Sequence, residues 1–250
     1  MSMSDPDSFM AHLIELRDRL LRAVLAVGLV FLCLFYWARE IYHFLALPIL
    51  GVLPAGVKMI ATDITSPFFI QVKVTFMAAL VVASPYVLYQ AWAFVAPGLY
   101  IHEKRLIGPL VISSTILFLC GMAFAYFLVF PVVFGVMKTF TPEGVEWMPD
   151  ISAYLNFALN MFFAFGVTFE VPIAVILVVR VGIVSLEKLR EIRPYVIVGA
   201  FVVAAVVTPP DVASQVLLAV PLWLLYEVGL LVAAWMGKPT PQTTGNSSVL

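Results

Sequence analysis

The sequence predicts an all-α, polytopic membrane protein with six transmembrane helices. Of its 250 residues, 63% are hydrophobic and 12% are charged, whereas a soluble domain is about half apolar and about a quarter charged. The apolar residues are gathered into six segments, and the charged residues collect between them. Because lipid is the solvent that such segments require, we expect residues 1–236 to form one membrane domain, a cupped bundle of helices.

The lengths of the six segments differ. A bilayer core of about 30 Å takes roughly 20 helical residues, and the first four segments approach or exceed that length. The fifth offers about 14 residues, or roughly 20 Å, and Glu227 interrupts the sixth after Tyr226. We therefore expect two short final helices, which would thin the membrane locally. The predicted spans are 20–38, 68–94, 106–134, 151–179, 194–207 and 212–235.

Local signals mark several helix ends. Ser66 precedes Pro67, as an N-cap precedes a proline at the first helical position, and Ser185 can cap a short helix that ends before Pro194. Pro85 and Pro172 are predicted to bend the second and fourth spans. Residues 237–250 are rich in Pro, Thr, Ser and Gly, which predicts a disordered cytoplasmic tail.

The positive charges predict the orientation. Cytoplasmic loops of membrane proteins carry an excess of Lys and Arg. With the N-terminus inside, ten such residues are cytoplasmic and four are outside, so we expect both termini in the cytoplasm. The inner set is Arg17, Arg19, Arg22, Lys104, Arg105, Arg180, Lys188, Arg190, Arg193 and Lys238, and the outer set is Arg39, Lys58, Lys73 and Lys138.

Two carboxylates are predicted at the inner surface. Glu103 lies beside Lys104 and Arg105 in a short loop, where the flanking spans require no acid, so it can accept a cationic partner. Glu15 lies on an amphipathic helix before the first span. The alternative for that helix is i,i+4 pairing, of Glu15 with Arg19 and of Asp18 with Arg22.

Other polar residues stand within or beside the apolar spans. Glu170 lies inside the fourth span, where an ionised side chain costs at least about 2.5 kcal/mol and usually faces a partner or a cavity. Thr208 and Asp211 flank two prolines in an outer loop, with Gln215 one turn further on. A helix cap at Asp211 and a functional role remain equally open.

The sequence contains no signature of an enzyme or of a cofactor site. The segment His102-Glu103 lacks the second histidine of a zinc peptidase helix, and no P-loop, dinucleotide fingerprint or nucleophile elbow is present. Cys33 and Cys120 lie far apart in apolar runs and are predicted to be buried, inert thiols. We expect no enzyme activity, no metal, no cofactor and no nucleic-acid partner.

The chain resembles the TatC family, the receptor subunits of the twin-arginine protein translocase, over nearly its whole length. The resemblance rests on several motifs that occur together and in order. They are His12-Leu-Ile-Glu15-Leu-Arg17, Ala61-Thr-Asp63-Ile-Thr-Ser66-Pro67-Phe68-Phe69, Tyr89-Gln-Ala-Trp92-Ala-Phe94-Val-Ala-Pro97-Gly-Leu99, Glu103-Lys-Arg105, Phe165-Gly-Val-Thr-Phe169-Glu170-Val-Pro172, Arg193-Pro-Tyr195 and Thr208-Pro-Pro-Asp211.

The resemblance implies a function in the bacterial inner membrane. Folded proteins with twin-arginine signal peptides would dock at the cytoplasmic face, and TatA and TatB would join several copies of this chain for export driven by the proton gradient. The residues implied in signal-peptide binding are Glu15, Arg17, Phe94, Glu103 and Arg105. Those implied within the membrane or against partner helices are Glu170, Thr208 and Gln215, and those implied in an outer, structural cap are Pro48, Asp63 and Asp211.

Two other classes of protein remain open on the residues alone. A proton-coupled transporter or channel subunit could use Glu170 and Asp211 as titrating groups, although the internal repeat of many transporters is missing. A membrane scaffold could organise partner helices without any role for Glu15 and Glu103.

Overall fold

The computed structural model describes residues 6–51, 53, 59–95, 107–142, 148–207 and 212–236. Within these ranges the regular elements are helices, and one isolated β-bridge joins Ile60 to Asp150. The α-helices are α1 (Pro6–Leu34), α2 (Ala38–Leu50), α3 (Ser66–Val95), α4 (Ile107–Phe124), α5 (Phe130–Thr139), α6 (Ile151–Phe169), α7 (Val171–Arg180), α8 (Leu186–Glu191), α9 (Arg193–Val207) and α10 (Val212–Trp235).

The first helix is longer than the predicted span. The amphipathic segment and the apolar segment form one continuous helix, α1, and a 3₁₀ turn at Phe35–Trp37 leads directly into α2. The first part of the segment between the predicted spans 20–38 and 68–94 is therefore helical, with Pro48 inside α2. Because α2 has apolar residues at helical spacing, with Leu45, Ala46 and Ile49 buried, it packs on the bundle as a helix.

The second hydrophobic segment forms α3, and the third forms α4 and α5, which are joined end to end. The helix α3 continues past Pro85 without a break. A π-helical turn at Ala125–Val129 joins α4 to α5, and such turns widen a helix locally. The helix α3 begins one residue earlier than predicted, since Ser66, the predicted cap, is its first residue, and the Ser66 hydroxyl shares a 2.7 Å hydrogen bond with Ser152.

The fourth hydrophobic segment breaks at Glu170, which separates α6 from α7. Pro172 lies in the first turn of α7, where its missing N–H costs no helical hydrogen bond. The predicted capping role of Ser185 is confirmed, since its hydroxyl accepts a hydrogen bond from the Lys188 N–H at the start of α8.

The last two helices have different lengths, which corrects the prediction of two short final helices. The helix α9 has 15 residues, or about 22 Å, and is short as expected. The helix α10 has 24 residues, or about 36 Å, and passes through Glu227 without interruption. Glutamate is a good helix former, so Glu227 interrupts the apolar run without ending the helix, and its charge is compensated by Arg193.

Five helical stretches in the described ranges are long and apolar enough to cross a membrane. They are Met10–Leu50, Ser66–Phe94, Gly108–Thr139, Ile151–Arg180 and Gln215–Trp235, and Arg193–Val206 is a shorter apolar helix. The expected count of six spans is therefore met only if the short helix also crosses.

Aromatic side chains fill the centre of the bundle. Tyr126, Phe130 and Phe134 from the α4–α5 segment meet Tyr154 and Phe162 of α6 in a chain of ring contacts. Glycines allow close helix approach: a Cβ on Gly121 would lie 2.5 Å from the Phe165 carbonyl oxygen. The prediction that Cys33 and Cys120 are buried is wrong, because both are exposed on the surface of the chain.

Candidate functional site

Two of the predicted signal-peptide residues, Glu15 and Phe94, lie where the start of α1 meets the end of α3. The helix α1 packs along α3, and His12, Glu15 and Arg19 follow one another at intervals of three and four residues. This spacing places them on one face of the helix. The His12 ring stacks on Phe94, with 4.3 Å between the ring centroids, so this face of α1 is turned toward α3.

The Glu15 carboxylate is already bound to a guanidinium. Arg19 donates two hydrogen bonds to Glu15 Oε1, from Nε at 2.9 Å and from Nη2 at 2.7 Å. The Glu15 side chain is 34% exposed and the Arg19 side chain is 24% exposed, so this ion pair is partly withdrawn from water. The predicted alternative, i,i+4 pairing of Glu15 with Arg19, is confirmed.

Gln90 extends this contact to α3. Its Oε1 lies 3.4 Å from Arg19 Nη1, and the residue is only 5% exposed. Gln90 was not predicted as a site residue, although it stands one helical turn before Phe94 and so shares a face of α3 with it. The signal that could have identified Gln90 is its position, as a polar residue one helical turn from a predicted site residue.

Arg17 lies away from the Glu15 carboxylate. Its Nε and Nη2 atoms donate to Asp18 Oδ1 at 3.0 and 2.9 Å, and its side chain is largely exposed. The predicted pairing of Asp18 with Arg22 is therefore wrong. An exposed ion pair between neighbours in sequence contributes little stability, so Arg17 is readily available to another anion.

The remaining predicted residues of this surface, Glu103 and Arg105, lie outside the described residues. The structure brings together Glu15 and the last turn of α3 at Phe94. The segment that contains Glu103 joins α3 to α4, but its relation to Glu15 stays a prediction.

Glu170 lies at the junction of α6 and α7, inside the membrane-spanning part of the fold. Both of its carboxyl oxygens are buried, and neither has a hydrogen-bond partner among the described residues. A buried acid without a partner is costly. The Ser114 side chain lies close by, and its hydroxyl accepts a 2.7 Å hydrogen bond from the Trp92 indole; neither residue was singled out from the sequence.

The predicted polar patch at the α9–α10 connection is only partly described. Gln215 donates from its side-chain amide to the Phe201 carbonyl oxygen at 3.1 Å, which ties the two helices together. Thr208 and Asp211 lie outside the described residues. Further along α10, Glu227 accepts a 2.7 Å hydrogen bond from Arg193, the first residue of α9. This bond ties the same two helices together at a second place.

The opposite end of the bundle is held by Asp150. Its carboxylate caps α6 by accepting from the N–H groups of Ser152 and Ala153, and it also accepts from the N–H and hydroxyl of Thr62. These hydrogen bonds, with that of Ala153 foremost, lower the pKa of Asp150. The predicted cap residue Asp63 is exposed beside Thr62, and Pro48 lies within α2.

A metal centre has no basis in the described residues, among which no group of three or more His, Cys, Asp or Glu side chains comes together. What the geometry offers is a carboxylate that holds a guanidinium at one end of a bundle of long apolar helices. The fold defines a multi-pass helical membrane protein, and the ion pair of Glu15 and Arg19 lies where its first helix meets α3.

Comparison with known proteins identifies the family. The family model described as Sec-independent protein translocase protein (TatC) matches residues 11–221. The TatC protein of Escherichia coli K12 is 53% identical over 239 residues, which cover 95% of this chain and 93% of that protein. The TatC protein of Azotobacter chroococcum is 57% identical over 232 residues, 92% and 91% of the two chains.

A solved structure agrees with these matches. A crystal structure of the twin-arginine translocase receptor TatC superposes with a TM-score of 0.81 at 38% identity, and the match covers 90% of this chain and 98% of that one. The chain belongs to the TatC family of Sec-independent protein translocase components, and it is a multi-pass membrane protein of protein transport.

Proposed function

We propose that this chain is the receptor of a twin-arginine translocase in the bacterial inner membrane. It binds the twin-arginine signal peptides of folded proteins at the surface formed by α1 and the end of α3. The observation that carries this proposal is the bond between Glu15 and Arg19, because a carboxylate that holds one guanidinium suits another. A charge-assisted hydrogen bond of this kind contributes about 1.5 to 3 kcal/mol.

Two carboxylates would receive the two arginines. We assign Glu15 to one of them and Glu103 to the other, with Phe94 as an apolar wall and with Arg17 and Arg105 as flanking cations. Phe94 is held in place by its stack on His12, so its ring is preorganised for contact with an apolar side chain of the peptide. Preorganisation lowers the entropic cost of binding.

The orientation follows from the charges. We place both termini and the Glu15 surface in the cytoplasm, since ten of the fourteen Lys and Arg residues then lie inside. Pro48, Asp63 and Asp211 then belong to an outer cap, where the described network around Asp150 joins the segment before α3 to the start of α6.

Partner contacts would use the polar groups that the fold leaves available. We assign Glu170 to the apolar part of the signal peptide or to a partner helix, because its buried oxygens have no partner among the described residues. We assign Thr208 and Gln215 to a patch for the helices of TatA and TatB, in an assembly with several copies of this chain. Transport of the folded protein, driven by the proton gradient, would require that assembly.

The rival functions predict different dependences. A proton-coupled transporter would depend on Glu170 and Asp211 and not on Glu15, and a scaffold would tolerate loss of both Glu15 and Glu103. Membership of a translocase family favours the receptor over either rival. No observation on the described residues favours the rivals specifically.

The test is photocrosslinking of a twin-arginine signal peptide to membranes that contain wild type, Glu15→Gln or Glu103→Gln. We expect crosslinking to fall at least tenfold in each variant, since a charge-assisted bond is lost. Glu191→Gln is the control, because it removes an exposed carboxylate that pairs with Lys188 at 3.0 Å outside the proposed site. Unchanged crosslinking in both site variants would overturn the receptor proposal.

A further inference from the structure

The carboxylate proposed to receive a substrate arginine is occupied in the structure by an arginine of the same chain. Arg19 approaches Glu15 with two donors, yet both bonds end on the single oxygen Oε1. Among the described residues no donor reaches the second oxygen, Oε2. The internal pair is therefore not the two-oxygen fork that gives arginine its strongest carboxylate contacts, and one oxygen is left for an incoming donor.

Arg19 also has a second acceptor within reach. Gln90 Oε1 lies 3.4 Å from Arg19 Nη1, too long for a strong hydrogen bond and near enough for a small rotation to shorten it. Gln90 is buried in the last turns of α3, so its position is fixed by the bundle. A neutral amide oxygen binds a guanidinium less strongly than a carboxylate does, which makes it a suitable resting place for a displaced arginine.

We infer that Arg19 is a built-in competitor for the Glu15 carboxylate and so sets the affinity that a signal peptide must reach in order to bind. This inference rests on the proposed function of Glu15. In the empty receptor Arg19 holds Glu15; on binding, a peptide arginine approaches the free oxygen Oε2, and Arg19 moves to Gln90. The exchange replaces one guanidinium with another, so Glu15 contributes less affinity than a vacant carboxylate would.

Competition of this kind sets an affinity threshold, because it lowers the apparent affinity of every peptide that must displace Arg19. A peptide lysine has a compact ammonium group without the planar fork of arginine, so its own contact with Glu15 is weaker and falls below that threshold first. A peptide with a single arginine has only the reduced contribution at Glu15 and no second contact to add to it. Only a peptide with two arginines combines the exchange with a further carboxylate contact, and a built-in competitor thus acts against wrong partners.

The inference makes opposite predictions for two substitutions at Gln90, both of which keep Glu15 and Arg19. Gln90→Glu offers Arg19 a second carboxylate and frees Glu15, so binding of the twin-arginine peptide should strengthen by about two- to fivefold. Gln90→Leu removes the resting place and keeps Arg19 on Glu15, so binding should weaken by a similar factor. A general loss of packing would weaken binding in both variants.

Removal of the competitor tests this threshold directly. In Arg19→Gln we expect the twin-arginine peptide, and a peptide with both arginines changed to lysine, each to bind about two- to fivefold more tightly than it binds wild type. The measurement is the binding of a fluorescent signal peptide, in twin-arginine and twin-lysine forms, to inner-membrane vesicles with equal amounts of each full-length variant.

One control excludes a direct effect of the new carboxylate. In the double variant Glu15→Gln with Gln90→Glu, we expect no gain over Glu15→Gln alone, and a gain there would overturn the inference because the introduced acid would itself bind the peptide. If Arg19→Gln binds the peptides no more tightly than wild type does, while Glu15→Gln loses affinity as expected, the role of Arg19 is overturned and the receptor proposal is intact. If Glu15→Gln binds the twin-arginine peptide as tightly as wild type does, both the role of Arg19 and the receptor proposal are overturned.

Discussion

Arg193 and Glu227 form an ion pair 2.7 Å long between α9 and α10, across 34 positions of the sequence. The Glu227 side chain is about one-fifth exposed, and Arg193 Nε is buried without a hydrogen-bond partner among the described residues. The pair explains how an acid can stand within α10, because the charge that interrupts the apolar segment is compensated by a neighbouring helix.

Loss of this pair should loosen the end of the short helix. We expect Glu227→Gln to lower the midpoint of thermal unfolding in detergent by roughly 2–4 °C, since removal of one partner leaves a partly buried guanidinium uncompensated. Glu191→Gln removes a far more exposed pair and should have almost no effect. Equal shifts in the two variants would contradict the structural importance of the Arg193 contact.

The close approach of α4 and α6 should tolerate no side chain at Gly121. A Cβ there would lie 2.5 Å from the Phe165 carbonyl oxygen, whereas a Cβ on Gly28 would meet nothing within 4 Å. We expect Gly121→Ala to destabilise the protein by about 1–3 kcal/mol through this backbone clash. Gly28→Ala, the matched control, should leave the thermal midpoint unchanged or slightly raised, and the reverse order would contradict this packing.

Asp150 should make stability depend on pH in acid. Its folded-state pKa is lowered by the hydrogen bonds from Ala153, Thr62 and Ser152. The carboxylate therefore contributes fully above the ordinary value of 3.8, and the contribution is lost as the pH falls through the lower folded value. We expect wild type to be more stable than Asp150→Asn at neutral pH and this difference to shrink below pH 3.8; a constant difference would count against the network.

Glu170 should separate docking from transport. We expect Glu170→Ala to bind the signal peptide at the surface as wild type does, because the residue lies within the membrane-spanning part of the fold and its carboxyl oxygens form no hydrogen bond with Arg19 or Gln90. Export of a folded reporter should fall at least tenfold, and Glu170→Gln should retain more export than Glu170→Ala because it keeps a polar group. Loss of surface docking in Glu170→Ala would contradict this division of roles.

The sequence predicted local features better than distant ones. The Glu15–Arg19 pair and the Ser185 cap were within reach, because both depend on spacings of three or four residues. The length of α10 could not be predicted in this way. Without knowledge of its partner Arg193, Glu227 looks like the end of an apolar segment. Gln90 and Thr62 were missed for the same reason, as their partners lie 71 and 88 residues away.

The membrane-thinning hypothesis changes with the length of α10. It rested on two short helices, and only α9 is short. Any mismatch in length with the bilayer is therefore confined to α9. The longer helix α10, which the hydrogen bonds of Arg193 and Gln215 tie to α9, can also cover it.

The most direct test of the account is a double-mutant cycle between Glu15 and the arginine pair of the signal peptide. Binding constants are measured for wild type and Glu15→Gln with the twin-arginine peptide and with peptides in which each arginine in turn is changed to glutamine. We expect one arginine to lose about fivefold more affinity in wild type than in Glu15→Gln, a coupling of about 1 kcal/mol. Strictly additive losses for both arginines would show that neither meets Glu15 and would contradict the central claim.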